Sequence, residues 1–289
     1  MQTITSADRM TALSRELRRG GKRIGFVPTM GALHEGHLSL VRTARARSDA
    51  VVVSIFVNPT QFGPNEDFSK YPRNLEQDSK MLNEEKTGFI FYPTVEEMYS
   101  QGATTWVTVE GLSEKLDGRS RPGHFRGVTT VVSKLFNIVQ PDIAFFGQKD
   151  AAQLAIIRAM VRDLKFDIEI VACPIVREKD GLAMSSRNSY LDPEQRRRAL
   201  VLYRSLMRIH FLVDRYETRS SELIAAGKLV LAEEPAVRLD YLEIVDPDTL
   251  DALPSLSKQA LIAVAAYVGN TRLIDNILIS PRLEEPRKL

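Results

Sequence analysis

The sequence predicts an α/β fold: a doubly wound, Rossmann-like parallel sheet with a smaller C-terminal α+β domain. Strand and helix signals alternate through the first 175 residues. One strand, at 50–57, is a continuous apolar and β-branched run, which is typical of a parallel strand covered on both faces. After that part, two long helical stretches precede three strands. We therefore predict two domains, one over residues 1–175 and one over residues 176–289.

The first predicted domain is built from βα units. Its first helix, Ser6–Arg19, begins at polar residues and ends at Gly20-Gly21. The remaining predicted strands are Arg23–Val27, Ala50–Val57, Phe89–Tyr92, Thr104–Val109, Ile143–Phe146 and Ile168–Val171. The remaining predicted helices are Leu38–Ala46, Leu75–Lys86, Gly127–Val139 and Ala151–Arg162. Alternation of this length indicates βαβ crossovers and a parallel sheet.

The second predicted domain has a different element order. Its helices are predicted at Pro193–Arg215 and Ser220–Glu234, and its strands at Arg238–Val245, Ala260–Val268 and Leu273–Ile279. Helices followed by consecutive strands are typical of an α+β domain. The charged stretch Pro281–Leu289 is expected to fray.

Composition favours an ordinary globular protein of the cytoplasm. The chain is 44% hydrophobic and 26% charged, and its net charge of +2 gives no general reason to expect nucleic acid or a membrane as partner. No apolar run reaches the length of a membrane span. The one cysteine, Cys173, cannot form an internal disulfide, and its mostly apolar neighbours predict an inert core thiol in a reducing compartment.

The most informative motif is the His-x-Gly-His element His34–His37, which follows a strand and precedes a helix. Unpaired N–H groups and the positive end of the dipole make a helix start an anion site. The alternatives are ordinary capping histidines or a metal site. Zinc-peptidase histidines stand four apart, whereas these stand three apart with Gly36 between them, so no metal site is predicted. We interpret the element as a nucleotide triphosphate site.

Four further segments are candidates of lower specificity. Lys149 lies in a turn between a strand and a helix, where it could neutralise phosphate or simply be solvated, and Gln153 follows one helical turn later. Ser185, Ser186 and Arg187 suit phosphate oxygens, although alone they indicate a serine-rich interdomain loop. Gln61 follows the second strand of the sheet, and the basic loop Arg119–Gly127 is a flap, an anion contact or a solvated loop. The P-loop, the dinucleotide-binding glycine turn and the nucleophile elbow are absent from the sequence.

Four segments together resemble the pantoate–β-alanine ligase (pantothenate synthetase) family of the His-x-Gly-His nucleotidyltransferase superfamily. They are Pro28–His37, Ser54–Phe62, Phe145–Asp150 and Asp180–Asn188, and the similarity extends to Leu239–Val245. The resemblance implies a nucleotide-binding domain with a C-terminal lid, a homodimer, ATP as substrate and Mg²⁺. It also implies that pantoate and ATP form pantoyl adenylate with release of pyrophosphate, and that β-alanine then displaces AMP to give pantothenate.

The resemblance also implies roles for individual residues. His37, the usual proton donor, His34 and Lys149 would be catalytic. ATP would contact Met30, Gly31, His34, His37, Gly147, Gln148, Lys149, Asp150, Val176, Met184, Ser185, Ser186 and Arg187. Gln61 and Gln153 would bind pantoate, and Gln61 would also bind β-alanine. The alternatives are another His-x-Gly-His nucleotidyltransferase, an RNA-binding or tRNA-charging protein, and a nucleotide sensor without turnover.

Overall fold

The computed structural model describes residues 1–64 and 66–281. Its residues group into two compact units. The first contains Met1–Gln148 and Ile156–Val176, and the second contains Lys149–Ala155 and the chain from Arg177 onward. The predicted domains, 1–175 and 176–289, stay a prediction. The expected fraying of the C-terminal stretch concerns residues that, apart from Pro281, lie outside the described ranges.

The first unit contains a parallel sheet, as predicted. Its strands are β1 (Gln2–Ile4), β2 (Ile24–Thr29), β3 (Ala50–Ile55), β4 (Phe89–Phe91), β5 (Ile143–Gly147) and β6 (Glu169–Cys173). They lie in the order β1-β4-β3-β2-β5-β6, and every adjacent pair is parallel. The chain moves outward from β2 in one direction and from β5 in the other. The carboxyl ends of β2 and β5 therefore form a topological switch point, where open α/β sheets bind ligands.

The helices that begin in the first unit start at a capping side chain in some cases and without one in others. They are α1 (Ala7–Arg19), α2 (Glu35–Arg47), α3 (Leu75–Glu84), α4 (Val95–Met98), α5 (Asp117–Ser120) and α6 (His124–Val139). Ser6 and Asn74 accept backbone N–H bonds at the starts of α1 and α3. Leu40, Val41 and Ala44 turn one face of α2 into the core, where they pack with strand residues such as Val53.

The second unit combines helices with an antiparallel sheet. The helix α7 (Ala151–Asp163) starts in this unit, and α8 (Pro193–Arg198), α9 (Leu200–Val213) and α10 (Ser220–Leu231) follow. The strands β7 (Val237–Val245), β8 (Ala260–Val268) and β9 (Thr271–Ile279) form a sheet in chain order. Buried aliphatic side chains of α9 and β8, including Leu206, Ile209 and Ile262, form the core.

Two element predictions are wrong. Thr104–Val109 is not a strand, although its β-branched residues favour one, because none of the described strands pairs with it. The predicted helix Pro193–Arg215 is divided at Ala199, which ends α8, and the following α9 stops at Val213. The short strand β1 was not predicted. Among residues 1–64 and 66–281, no helix has the length and apolarity needed to cross a membrane.

Candidate active site

The turn after β2 has a backbone that requires glycine. Gly31 has a φ of +82°, and an added Cβ would lie 3.0 Å from the Asp78 Oδ2 and 3.1 Å from the Ile55 Cγ2. The Thr29 hydroxyl accepts the Gly31 N–H at 3.2 Å and donates to the Ser54 carbonyl at 2.7 Å. A side chain at Gly31 would both strain the backbone and push against neighbouring atoms.

A buried carboxylate holds the next residues of this turn. Asp78, on α3, is 2% exposed. Its two oxygens accept the backbone N–H groups of Ala32 at 3.0 Å and of Leu33 at 2.8 Å. Burial raises the pKa of Asp78, and these two hydrogen bonds oppose that effect. The turn that leads into the His-x-Gly-His element is thus fixed by a side chain distant in sequence.

The two histidines are capping residues, and the capping determines which ring nitrogen carries the proton. His34 is the N-cap of α2, and its Nδ1 accepts the Gly36 N–H at 3.1 Å. The Nδ1 of His37 accepts the His34 N–H at 3.3 Å, and the two ring centroids are 4.1 Å apart. A nitrogen that accepts a hydrogen bond carries no proton in the neutral ring. Each imidazole therefore bears its proton on Nε2.

This arrangement creates two fixed donors at the start of a helix. Both rings are half-buried, and both Nε2–H groups lie beside the positive end of the α2 dipole. Such donors can bind and stabilise phosphate oxygens without being reoriented when charge develops. The capping interpretation and the phosphate interpretation of the sequence are therefore compatible, because capping uses Nδ1, whereas a contact with phosphate would use Nε2.

Gln61 is oriented by Asn58, a residue that the sequence analysis did not select. The Asn58 side chain is 1% exposed and donates from Nδ2 to the Gln61 Oε1 and to the Gly127 carbonyl, both at 3.1 Å. The Tyr99 hydroxyl donates to the Asn58 Oδ1 at 2.8 Å. The Gln61 Nε2 then lies 3.0 Å from the Met30 sulfur. Gln61 is thus presented as an amide donor next to Met30.

The basic loop before α6 supports the backbone of Gln61. The Arg121 guanidinium contacts Glu66 at 2.7 and 2.5 Å and donates to the His124 Nε2 at 3.0 Å. Since guanidinium only donates, His124 carries its proton on Nδ1, which donates to the Gln61 carbonyl at 2.8 Å. Burial would raise the pKa of Glu66, but the hydrogen bonds and charge of Arg121 outweigh burial and lower it. This loop is therefore connected to the candidate site.

The second unit holds the other predicted phosphate ligands. The Nζ of Lys149 lies 3.7 Å from the Asp150 Oδ1, in a short 3₁₀ turn before α7. Gln153 lies on α7 and is half-buried. The Ser185 hydroxyl accepts the Arg187 N–H at 3.2 Å and caps the 3₁₀ turn Ser186–Tyr190. The serine-rich segment thus has a defined conformation.

The structure separates the predicted residues into two groups. In the first unit are Met30, Gly31, His34, His37, Gln61, Gly147, Gln148 and Val176, and in the second are Lys149, Asp150, Gln153, Met184, Ser185, Ser186 and Arg187. Met30 and Gln61 are in contact, and Gly147 ends β5 beside β2. Cys173 is buried, as predicted, and burial raises the pKa of its thiol against the opposing effects of Thr43 and Arg47.

Sequence and structure comparisons identify the family. The family model described as pantoate-beta-alanine ligase matches residues 2–278. A pantothenate synthetase of Koribacter versatilis is 63% identical over 279 residues, which cover 96% of each chain. A crystal structure of pantothenate synthetase from Thermus thermophilus is similar with a TM-score of 0.92 and 47% identity, covering 97% of this chain and 100% of that one.

A second solved structure was determined with ligands. The pantoate-beta-alanine ligase of Francisella tularensis, complexed with beta-gamma ATP and beta-alanine, has a TM-score of 0.80 and 34% identity. The match covers 96% of this chain and 97% of that one. The match to the family model spans nearly the whole chain, and the relatives are covered over almost their full length. The chain therefore belongs to the pantoate–β-alanine ligase family and is an ATP-dependent enzyme that joins pantoate to β-alanine.

Proposed function

We propose that the His-x-Gly-His element binds the phosphates of ATP and that His34 and His37 stabilise the transition state of adenylation. The capping geometry carries this proposal, because each Nδ1 accepts a backbone N–H, which places the proton of the neutral ring on Nε2 in the first turn of α2. We also assign Lys149 and Arg187 as cationic contacts of ATP. The full proposed ATP set is Met30, Gly31, His34, His37, Gly147, Gln148, Lys149, Asp150, Val176, Met184, Ser185, Ser186 and Arg187.

The first step is the adenylation of pantoate. An oxygen of the pantoate carboxylate forms a bond to the α-phosphorus of ATP, and the bond from that phosphorus to pyrophosphate breaks. The electron pair leaves with pyrophosphate, so negative charge grows on oxygens that fixed donors can stabilise. We assign His37 as the proton donor, because its Nε2–H is oriented by the bond at Nδ1. No protein nucleophile takes part.

The second step forms the amide. The β-alanine nitrogen bonds to the pantoyl carbonyl carbon, and the bond from that carbon to the AMP oxygen breaks with its electron pair leaving on AMP. The nitrogen loses a proton to solvent. We propose that Gln61 and Gln153 hold pantoate and that Gln61 also contacts β-alanine. As an amide donor fixed by Asn58, Gln61 can bind a hydroxyl or carboxylate oxygen without competing as a base.

Mg²⁺ enters the proposal as a companion of ATP. The described residues contain no group of three His, Cys, Asp or Glu side chains placed to hold a metal ion. Mg²⁺ commonly binds through substrate phosphates, with retained waters and few protein ligands. Bound in that way, it would neutralise phosphate charge, while the histidines and Lys149 act as fixed donors.

We also propose a homodimer that resides in the cytoplasm. The segment 103–110 carries β-branched residues and Trp106, which is 43% exposed, yet no described strand pairs with it. A second copy could supply the missing strand partner. Light scattering should give twice the 32.5 kDa chain mass, and Thr105→Pro, which removes a backbone donor, should shift it to the monomer. A wild-type mass of one chain would refute the dimer.

The direct test of the site is pyrophosphate exchange into ATP. Exchange should require pantoate and proceed without β-alanine, and AMP should appear when β-alanine is added. His34→Ala and His37→Ala should each reduce exchange by about 10²–10³-fold, as expected for loss of one fixed donor. Normal exchange in both variants would remove the histidines from the mechanism while leaving the family assignment intact.

A further inference from the structure

Two adjacent buried polar residues on β9 have no role in the mechanism so far. Asp275 is 3% exposed and Asn276 is 2% exposed. A buried charge or amide destabilises a fold unless its hydrogen-bonding groups are satisfied, so their partners indicate what they do. Those partners are Arg177, at the start of the loop that leads to Met184, and Lys149. We assign ATP contacts to Met184 and to Lys149.

Asp275 forms an ion pair with Arg177. The guanidinium binds the carboxylate through two bonds, 2.7 Å from Nη1 to Oδ2 and 2.9 Å from Nη2 to Oδ1. The same guanidinium donates to the Gly181 carbonyl at 3.0 Å and stacks on the Tyr203 ring at 4.6 Å. Arg177 and Ala183 form an isolated antiparallel bridge. The ion pair therefore anchors the loop that leads directly to Met184.

Asn276 connects the same strand to Lys149. Its Nδ2 donates to the Lys149 carbonyl at 2.9 Å, across 127 residues of sequence. The backbone N–H of Asn276 donates to the Asp275 Oδ1 at 2.7 Å, so the two side chains belong to one network. Burial raises the pKa of Asp275, and the charges of Arg177 and Lys149 act against that rise.

We propose that Asn276 is a positioning residue for Lys149 and that the Asp275–Arg177 pair positions the segment Met184–Arg187 against the same strand. This inference rests on the proposed contacts of Lys149 and Arg187 with ATP. A lysine side chain is long and flexible, so the position of its charge depends on where the backbone starts. The strand β9 thereby supports the backbone of both segments to which we assign phosphate contacts, the one at Lys149 and the one at Met184–Arg187.

The expected effect is specific to adenylation. Asn276→Ala removes the bond to the Lys149 carbonyl and should slow pantoate-dependent pyrophosphate exchange by about 10-fold or more, since small misplacements of a catalytic group can be that costly. In a single turnover from enzyme-bound pantoyl adenylate and β-alanine, the rate of amide formation should change less than about twofold. Asn276→Leu fills similar space without donating and serves as the second variant. Leu278→Ala, on the exposed part of the same strand, is the control and should leave both rates unchanged.

A double-mutant cycle separates this proposal from the one it rests on. If Asn276 acts through Lys149, Asn276→Ala should have almost no further effect in the Lys149→Ala background. An unchanged 10-fold loss in that background, or no loss in the otherwise wild-type chain, would overturn the positioning role while Lys149 keeps its own. If the Lys149→Ala variant itself catalysed exchange at the wild-type rate, the proposed contact of Lys149 with ATP would be refuted, together with the positioning role that rests on it. Circular dichroism and thermal melting establish that each variant is folded.

Discussion

Replacing His37 with asparagine separates the two roles of this side chain. In asparagine, Oδ1 stands at the same number of bonds from the backbone as the imidazole Nδ1, so it can accept the His34 N–H in place of that nitrogen. Nothing in asparagine reaches the position of Nε2. The His37→Asn variant therefore keeps the cap and loses the donor at the position of the imidazole Nε2.

The expected size of each effect follows from this geometry. Loss of one preorganised donor to a developing oxyanion costs about 2.7–4 kcal/mol, so exchange should fall by about 10²–10³-fold. Stability should change by less than about 0.5 kcal/mol, because the cap is worth about 1 kcal/mol and is retained. His37→Gln is the matched comparison, because a glutamine at this position can accept the His34 N–H through Oε1, as the Gln195 Oε1 accepts the Asp192 N–H at the start of α8, and it keeps a donor at Nε2.

Pantoate-dependent pyrophosphate exchange and urea unfolding should be measured on both variants. We expect His37→Asn to be stable and inactive, and His37→Gln to be as stable as His37→Asn but more active, because it keeps both the cap and a donor at Nε2. Wild-type exchange in His37→Asn would refute the assignment of Nε2–H as a catalytic donor. If His37→Asn were destabilised as much as His37→Ala, the interpretation of Nδ1 as a cap would be wrong.

Three other predictions concern charge and turn geometry. Lys149→Ala should lower the exchange kcat by about 10²–10³-fold with native circular dichroism, and a near wild-type kcat would remove Lys149 from the site. Asp78→Asn can accept only one of the two turn N–H groups, so urea unfolding should show a loss of about 1–3 kcal/mol, and equal stability would refute the role of the second bond. The hydrogen bond from Lys258 lowers the pKa of Asp246 to about 2, so the stabilisation is present above pH ~4 and is lost as the pH falls toward 2. Because Lys258 is 63% exposed and screened, Asp246→Asn should cost about 1 kcal/mol at pH 7 and almost nothing near pH 2, and a pH-independent difference would contradict the ion pair.

The parts of the fold that sequence could predict are those with a local signal. The continuous apolar run at β3 marks a parallel strand, and the strand–glycine–helix order at His34 marks the start of α2, where the anion site stays a prediction. The strand predicted at Thr104–Val109 is absent, because residues with high β propensity form a strand only when a neighbouring strand can pair with them. The division of the helix at Ala199 was not predicted, because a helical pattern on both sides of a break looks continuous in the sequence.

The residues that support the candidate ligand-binding side chains could not be predicted from the sequence, for a different reason. Asp78 and Leu33 are 45 residues apart, and Asn276 and Lys149 are 127 residues apart. A polar residue buried by tertiary pairing has no periodicity or motif of its own, because its role is defined by a partner that folding brings near. Among these supporting residues, Asn58 alone could have been selected from the sequence, since it stands three residues before Gln61 in a segment already chosen as a candidate.

This difference has a mechanistic consequence. In the mechanism that we propose, adenylation and amide formation use no protein nucleophile, so the rate depends on how well donors are oriented toward charge as it develops. The proposed donors can be recognised from the sequence, but their orientation depends on buried polar residues that bond to them or to the adjacent backbone. These are Asp78 for the turn before His34, Asn58 for Gln61 and, as we propose, Asn276 for Lys149. Two chains with identical ligand motifs can therefore differ in turnover when these supporting residues differ, and substitutions there should change kcat for adenylation more than they change the affinity for ATP.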